Sequence, residues 1–410
     1  MVATMRASST KSRTKAILSR ARGRARTYLW TAAFLLQEIS IPSAGTADHS
    51  IRTLAPFLAC ASPLKLMAGL GFALAVLALH GFSMNANLLI SLIVLCMPFL
   101  LLDTQRMRID IDEFCGCAAR LIFAACVIQS LLPGLSNRIF APFLDGFMTY
   151  ERMFARASAF SMEPSFAAEM LFALAMVHVF FARRLVCGTS ACILGAMLLI
   201  RASTFFQQAC VFAAIYAFLG MRRLIAGSGS RFDGTGPATG MLAALFAVAI
   251  ILGGYSFLVY GTLDLSFIRD SLEKYGSWRT LSNYAAFLQA APLSFFPYHS
   301  AAGWADAISY GLQLHGLDGS GWIVQPFSAI GVAMLDLGII GALLWIALLF
   351  HAAHRRFARY ALRTSQVTIV YTLLANAIFL APKWQLSGFL AVGLIASTLD
   401  TRLSLSRSKA

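Results

Sequence analysis

Ten apolar runs of 15 to 22 residues, separated by polar gaps, constrain this chain more than any other feature of its sequence. They cover approximately residues 64–82, 86–102, 114–132, 166–182, 185–200, 203–220, 239–260, 329–350, 366–381 and 386–400. A helix rises 1.5 Å per residue and a bilayer's hydrocarbon core is about 30 Å thick, so such runs predict transmembrane helices, the shortest ones near the lower limit. The runs are continuous and lack the period-two alternation of a barrel strand. The expected fold is an all-α integral membrane protein with about ten transmembrane helices. Composition agrees, with 59% of residues hydrophobic and 12% charged, where soluble domains carry about 25% charged residues. An ordinary soluble enzyme is therefore not expected. The net charge of +15 would elsewhere point to nucleic acid. In a chain this apolar it reports membrane topology instead, and no nucleic-acid partner is expected.

The positive-inside rule orients the ten spans. With the N-terminus in the cytoplasm, inside segments hold 23 Lys and Arg and outside segments hold 8, while Lys65 and Arg120 sit near span starts. The pairs Arg183 and Arg184, Arg222 and Arg223, and the cluster Arg355, Arg356, Arg359 and Arg363 all fall inside. Both termini are thus expected in the cytoplasm. Residues 1–63 form a basic cytoplasmic arm with no acidic residue before Glu38, residues 64–400 form the polytopic membrane domain, and residues 401–410 form a cytoplasmic tail. The arm reads first as a topology signal, with contact to anionic lipids as the alternative. No cleavable signal peptide is expected, because no compact apolar core with a small-residue cleavage site follows the basic region. A further apolar stretch, 28–41, is interrupted by Gln37, Glu38 and Pro42 and is expected to lie at the interface. All eight cysteines fall in spans or inside segments, so no disulfide framework is expected. Cys115 and Cys117 have no second pair or histidine nearby, so no metal site is expected.

Two outside segments, 133–165 and 261–328, are too long for simple turns, and long connections are usually functional. The first carries Arg138, Asp145, Glu151, Arg152, Arg156 and Glu163. The second interleaves Arg269, Glu273, Arg279, His299, His315 and several aspartates with Tyr275, Trp278, Tyr284, Trp304 and Trp322. Flat rings stack on sugar C–H faces and guanidinium forks grip phosphate oxygens, so the mixture suits sugar and phosphate recognition. An interfacial aromatic belt with solvated charges fits the same composition. Ionisable groups inside spans add to the pattern. Asp336 lies roughly 10 Å into the eighth span, and Glu169 about one turn into the fourth. Arg201 closes the fifth span where only a few residues separate it from the sixth. Such residues are functional candidates or structural partners of one another. His178 and Gln207 or Gln208 read as interhelical hydrogen-bonding groups. Pro164 suits a first helical turn, so the fourth span offers its positive dipole end outside, next to Arg156 and with Glu163 placed to cap it or act as a base.

Three stretches resemble the superfamily of O-antigen ligases and Wzy-type polysaccharide polymerases: Arg156 through Glu163-Pro164-Ser165, Arg201-Ala-Ser-Thr between close spans, and Ser277-Trp278-Arg279 followed by Asp336-Leu-Gly338-Ile-Ile-Gly341. Many relatives carry a Gly-x-Gly turn and a His-Asn pair late in the large loop, whereas this chain has Phe296-Pro-Tyr-His299 and His315-Gly316, which favours polymerase over ligase. The resemblance implies a GT-C-like membrane fold that joins undecaprenyl-diphosphate-linked oligosaccharide repeats on the periplasmic face, with no cofactor. A flippase and a chain-length regulator are the implied partners, beside membrane lipids. With a diphosphate leaving group and no Asp-x-Asp motif outside, arginines are the expected electrophilic stabilisers: Arg201 and Arg279, then Arg156. Glu163, then His299 or His315, is the expected base, and Glu169, Trp278 and Asp336 are expected to contact substrate. A multispan transporter and a structural membrane partner are the readings from other classes.

Overall fold

A computed structural model of the chain describes residues 23–37, 95–102, 109–140, 156–161, 163–182, 184–202, 204–225, 236–260, 328–381 and 385–407, with a few isolated positions besides. Among the described residues regular structure is helical throughout, with no strand. The helices are α1 (23–35), α2 (95–102), α3 (Ile111–Leu131), α4 (Pro133–Phe140), α5 (Pro164–Phe181), α6 (Gly188–Ile200), α7 (Thr204–Ile225), α8 (Pro237–Tyr260), α9 (Ala329–Phe357), α10 (Thr364–Ala375) and α11 (Ser387–Arg407). A π-helical turn, Asn376–Leu380, continues α10.

Among the described residues, four segments are long and apolar enough to cross a membrane: Ile111–Leu131, Pro164–Phe181, Thr204–Ile225 and Asp336–Phe357. Gly188–Ile200, Pro237–Ile250 and Thr364–Leu380 are apolar but shorter. The sequence expectation of membrane helices is met at this coarser level. Of the first two expected spans, the described part is the helix at 95–102 and scattered helical positions between 67 and 78.

Local chemistry sets where the helices start and stop. Asp110 caps α3 by accepting from the backbone N–H groups of Asp112 and Glu113, each at 3.1 Å, and those two acids then complement the positive end of the helix dipole. Pro133, Pro164 and Pro237 each open a helix, where the missing N–H has no intrahelical partner to lose. Ser328 caps α9 through Gly331 N–H, and His354, Arg355 and Arg356 in its last turn complement the opposite pole.

The helices alternate in direction, which gathers their termini into two ends. At one, here the basic end, Arg222 of α7 donates to Thr239 of α8, and Arg223 donates to Thr364 of α10 at 3.1 Å. There too Arg356 of α9 pairs with Asp400 of α11, whose second oxygen accepts from Tyr360, and Arg402 sits 4.7 Å over the Phe181 ring. Burial and the Asp400 hydrogen bond push the Tyr360 hydroxyl above its ordinary range. The opposite, loop end collects the start of α5, the end of α6 and the starts of α7, α9 and α11. α5 is the central helix, packed against α3, α6, α7, α10 and α11 and buried along most of its length. Small residues let neighbours approach closely: a Cβ at Gly388 would lie 2.8 Å from the Leu373 carbonyl oxygen, so α10 and α11 pack backbone to backbone there.

The first part of the stretch 28–41 is helical: α1 runs from 23 to 35 and buries Trp30 and Phe34, with Phe34 edge-on to Phe114 at 5.7 Å. Tyr28 donates to Glu113 at 3.1 Å, and Asp110 N–H donates to Thr27 at 3.2 Å, so one face of α1 packs on the start of α3. One expectation changes: the segment 133–165 is not loop throughout, since Pro133–Phe140 is helical, while Pro164 opens α5 as its place in a first helical turn implied.

Candidate functional site

The loop end is built around the start of α5. Glu163 occupies the N-cap position with extended backbone, but its side chain caps no backbone N–H; its Oε2 instead accepts from the Ser165 hydroxyl at 3.0 Å. The carboxylate is therefore held beside the positive pole of α5.

The segment before it is fastened by a residue that sequence reasoning did not single out. Gln129, in the last turn of α3 and 2% exposed, accepts from Ser158 N–H at 2.9 Å and Ala159 N–H at 2.8 Å, and donates to the Ala159 carbonyl at 2.8 Å. Three bonds from one amide fix the 156–161 segment, and Ala159 is held in the left-handed region at φ 49°. For a residue with a Cβ that conformation costs on the order of 1 kcal/mol, so it persists where surrounding bonds over-determine it. A buried glutamine near the end of an apolar run was the available signal, because buried amides are almost always hydrogen-bonded.

The same segment seals the end of α6. Ala157 N–H donates to Leu199 O at 3.1 Å, satisfying one of the last carbonyls that a helix leaves without partners. Arg156 and Arg201 flank this bond in sequence, which brings two of the three expected arginines to one locality. Arg201 is the C-cap of α6, in the left-handed region at φ 50°, and its Nε donates to Leu198 O at 3.2 Å. It is exposed, and among the described residues it makes no ion pair with Glu169 or Asp336. Pairing with either acid as a structural partner is thus not how Arg201 is accommodated.

Glu169 lies on α5 one turn beyond Ser165 and is 3% exposed; Asp336 is fully buried. Asp336 stands two residues before an interruption in α9 at Gly338, whose φ of 71° and ψ of 175° favour glycine and split the helix into two pieces. The adjoining π turn of α10 touches α9 and carries Asn376, buried, with neither amide atom partnered among the described residues. Gln385, just before α11, donates to Phe166 O in the first turn of α5, a second fastening that the sequence reading missed. Its Oε1 and that of Gln208 are buried without partners among the described residues. The loop end therefore holds a set of buried polar groups beneath exposed and half-buried arginines, an arrangement able to receive an anionic or polyhydroxylic group.

His178 is on α5 at the basic end and bonds Ser190 of α6 at 3.0 Å, an interhelical contact as expected. Trp278, Arg279, His299 and His315 lie outside the described residues. Among the described residues, no group of three or more His, Cys, Asp or Glu could hold a metal ion. Comparison with protein families, curated proteins and solved structures finds no match to this chain.

Proposed function

We propose that this chain is a membrane glycosyltransferase of the Wzy type, which polymerises undecaprenyl-diphosphate-linked oligosaccharide repeats into exopolysaccharide or O-antigen. In this reading it has about ten transmembrane helices, a GT-C-like arrangement and both termini in the cytoplasm of a bacterial inner membrane, with the loop end facing the periplasm. The observation that supports it is the fastening of the segment after Arg156 by Gln129 and by Leu199, two residues before Arg201, just ahead in sequence of Glu163 at the start of α5. Cations there neutralise the departing lipid diphosphate, with Arg279 joining them from the large loop. Glu163, or His299 or His315 from that loop, removes the acceptor proton. Glu169, Trp278 and Asp336 hold the sugar. O-antigen ligation by the same machinery is the nearest alternative.

The neighbouring interruptions at Gly338 and Asn376–Leu380 favour a second reading, since transporters build binding sites from broken helices. One experiment separates them. Purified protein in liposomes, given its lipid-linked repeat, is expected to make a polymer ladder without nucleotide, ion gradient or added metal, and to keep doing so in EDTA. Arg201→Ala is expected to abolish the ladder at normal protein level. No ladder from the authentic substrate, together with solute uptake by the same vesicles, would overturn the enzyme reading. Loss in EDTA with rescue by magnesium would overturn the arginine mechanism alone.

A further inference from the structure

At the basic end, three reactive side chains meet across the turn from α5 to α6. Cys187 is the N-cap of α6, and its Sγ lies 3.6 Å from His178 Nε2 and 3.5 Å from Ser190 Oγ. His178 and Ser190 are themselves 3.0 Å apart, and the Ser190 hydroxyl also reaches the Leu185 carbonyl. Of the described cysteines, Cys187 is exposed, whereas Cys96, Cys115 and Cys126 are buried and Cys117, Cys192 and Cys210 are half-buried.

The surroundings favour a thiolate. The Ser190 hydroxyl, whose one proton serves either Leu185 O or the sulfur, and the Ser190 and Thr189 backbone N–H groups at the positive pole of α6 hold the Cys187 thiol below its ordinary range. In the tautomer that leaves Nε2 unprotonated, His178 is a proton acceptor within reach, and Asp112 in the first turn of α3 is a charged group that acts on it. A buried structural cysteine has neither the access nor the base.

We propose that Cys187 is a covalent modification site, a nucleophile that takes up low-molecular-weight disulfides by exchange. The thiol proton passes to His178, and the sulfur attacks one sulfur of the incoming disulfide. A new Cys187 S–S bond forms, the old disulfide bond breaks, and the second half leaves as a thiolate. No other oxidant is needed, because the incoming disulfide is itself reduced. The attached group fills the place between Cys187 and Ser190 and breaks the His178 contact that joins α5 to α6. The site is independent of the loop end and of the reaction assigned there.

Oxidised glutathione is the probe, applied to the purified full chain in detergent, with mixed disulfide at each cysteine followed by peptide mass spectrometry. A tenfold gain in thiolate is offset about threefold by lower nucleophilicity, so the expected net acceleration is about threefold per tenfold of thiolate. Cys187 is expected to react at least about threefold faster in the folded chain than in the same chain denatured in urea, and first among its cysteines. His178→Gln and Ser190→Ala are each expected to slow Cys187 by about threefold in the folded chain and to leave the denatured rate unchanged. The rate of alkylation by iodoacetamide should reach half its maximum below about pH 8.5, the ordinary thiol value. Equal folded and denatured rates, or a midpoint at or above that value, overturns the proposal without reference to any variant.

Discussion

At the basic end, charged side chains bridge helices: Arg222 to Thr239, Arg223 to Thr364, and Arg356 to the Asp400 that also holds Tyr360. At the loop end, amides and backbone do that work, through Gln129 on 158–159, Ala157 on Leu199 and Gln385 on Phe166. The difference separates two uses of arginine in one molecule. An arginine that bridges helices has its directional bonds committed to the fold. Among the described residues, Arg201 bonds the carbonyl of its own helix end and is exposed, which suits a charge offered to a ligand.

Arg356→Ala should have the largest effect on stability, because it strips the partner from a largely buried carboxylate; a loss of about 3 kcal/mol is expected, read as a lower Tm in detergent. Activity per folded molecule should survive it. A Tm within experimental scatter of wild type would show that the basic end is not held by this pair. Gln129→Ala comes next. It leaves two N–H groups and one carbonyl of the 156–161 segment without their partner, at about 2 kcal/mol. Limited proteolysis should then cut near 156–161, and the polymer product should disappear. Unchanged resistance to protease would mean that the loop is fastened otherwise. Arg201→Gly has the smallest effect on stability and the opposite sign. Glycine suits a left-handed C-cap, so the variant should be about 1 kcal/mol more stable while losing the product. Retained product would break the contrast between the two ends.

The sequence made much of this legible, for identifiable reasons. Long apolar runs locate helices to within a few residues, as with Pro164–Phe181 against an expected 166–182. They fail at helix ends rich in charge. α11 continues to Arg407 beyond the expected end at 400, and α9 to Phe357 beyond 350, because Arg356 and Asp400 neutralise each other where hydropathy alone sees two costs. In the basic arm, Thr27, Trp30, Thr31 and Phe34 trace the helical face that α1 buries, while Gln37 interrupts the apolar run. The site was legible in residue types such as Arg156, Glu163 and Arg201, but its fastening was not. Gln129 is 29 and 30 residues from the backbone it grips, and a contact at that separation leaves no local pattern.

The short length of α6 bears on the bilayer itself. Thirteen residues rise about 20 Å, whereas a hydrocarbon core is about 30 Å thick. In the proposed ten-span arrangement, a membrane surrounding this helix would have to thin beside it, at a cost of fractions of a kcal/mol per Å, or let water enter from the Arg201 side. Either response lowers the headgroup layer toward the end of α6. A polyprenyl diphosphate carried in that layer would be drawn down along a dimple in the lipid, arriving at the arginine by the slope of the membrane as well as by its charge.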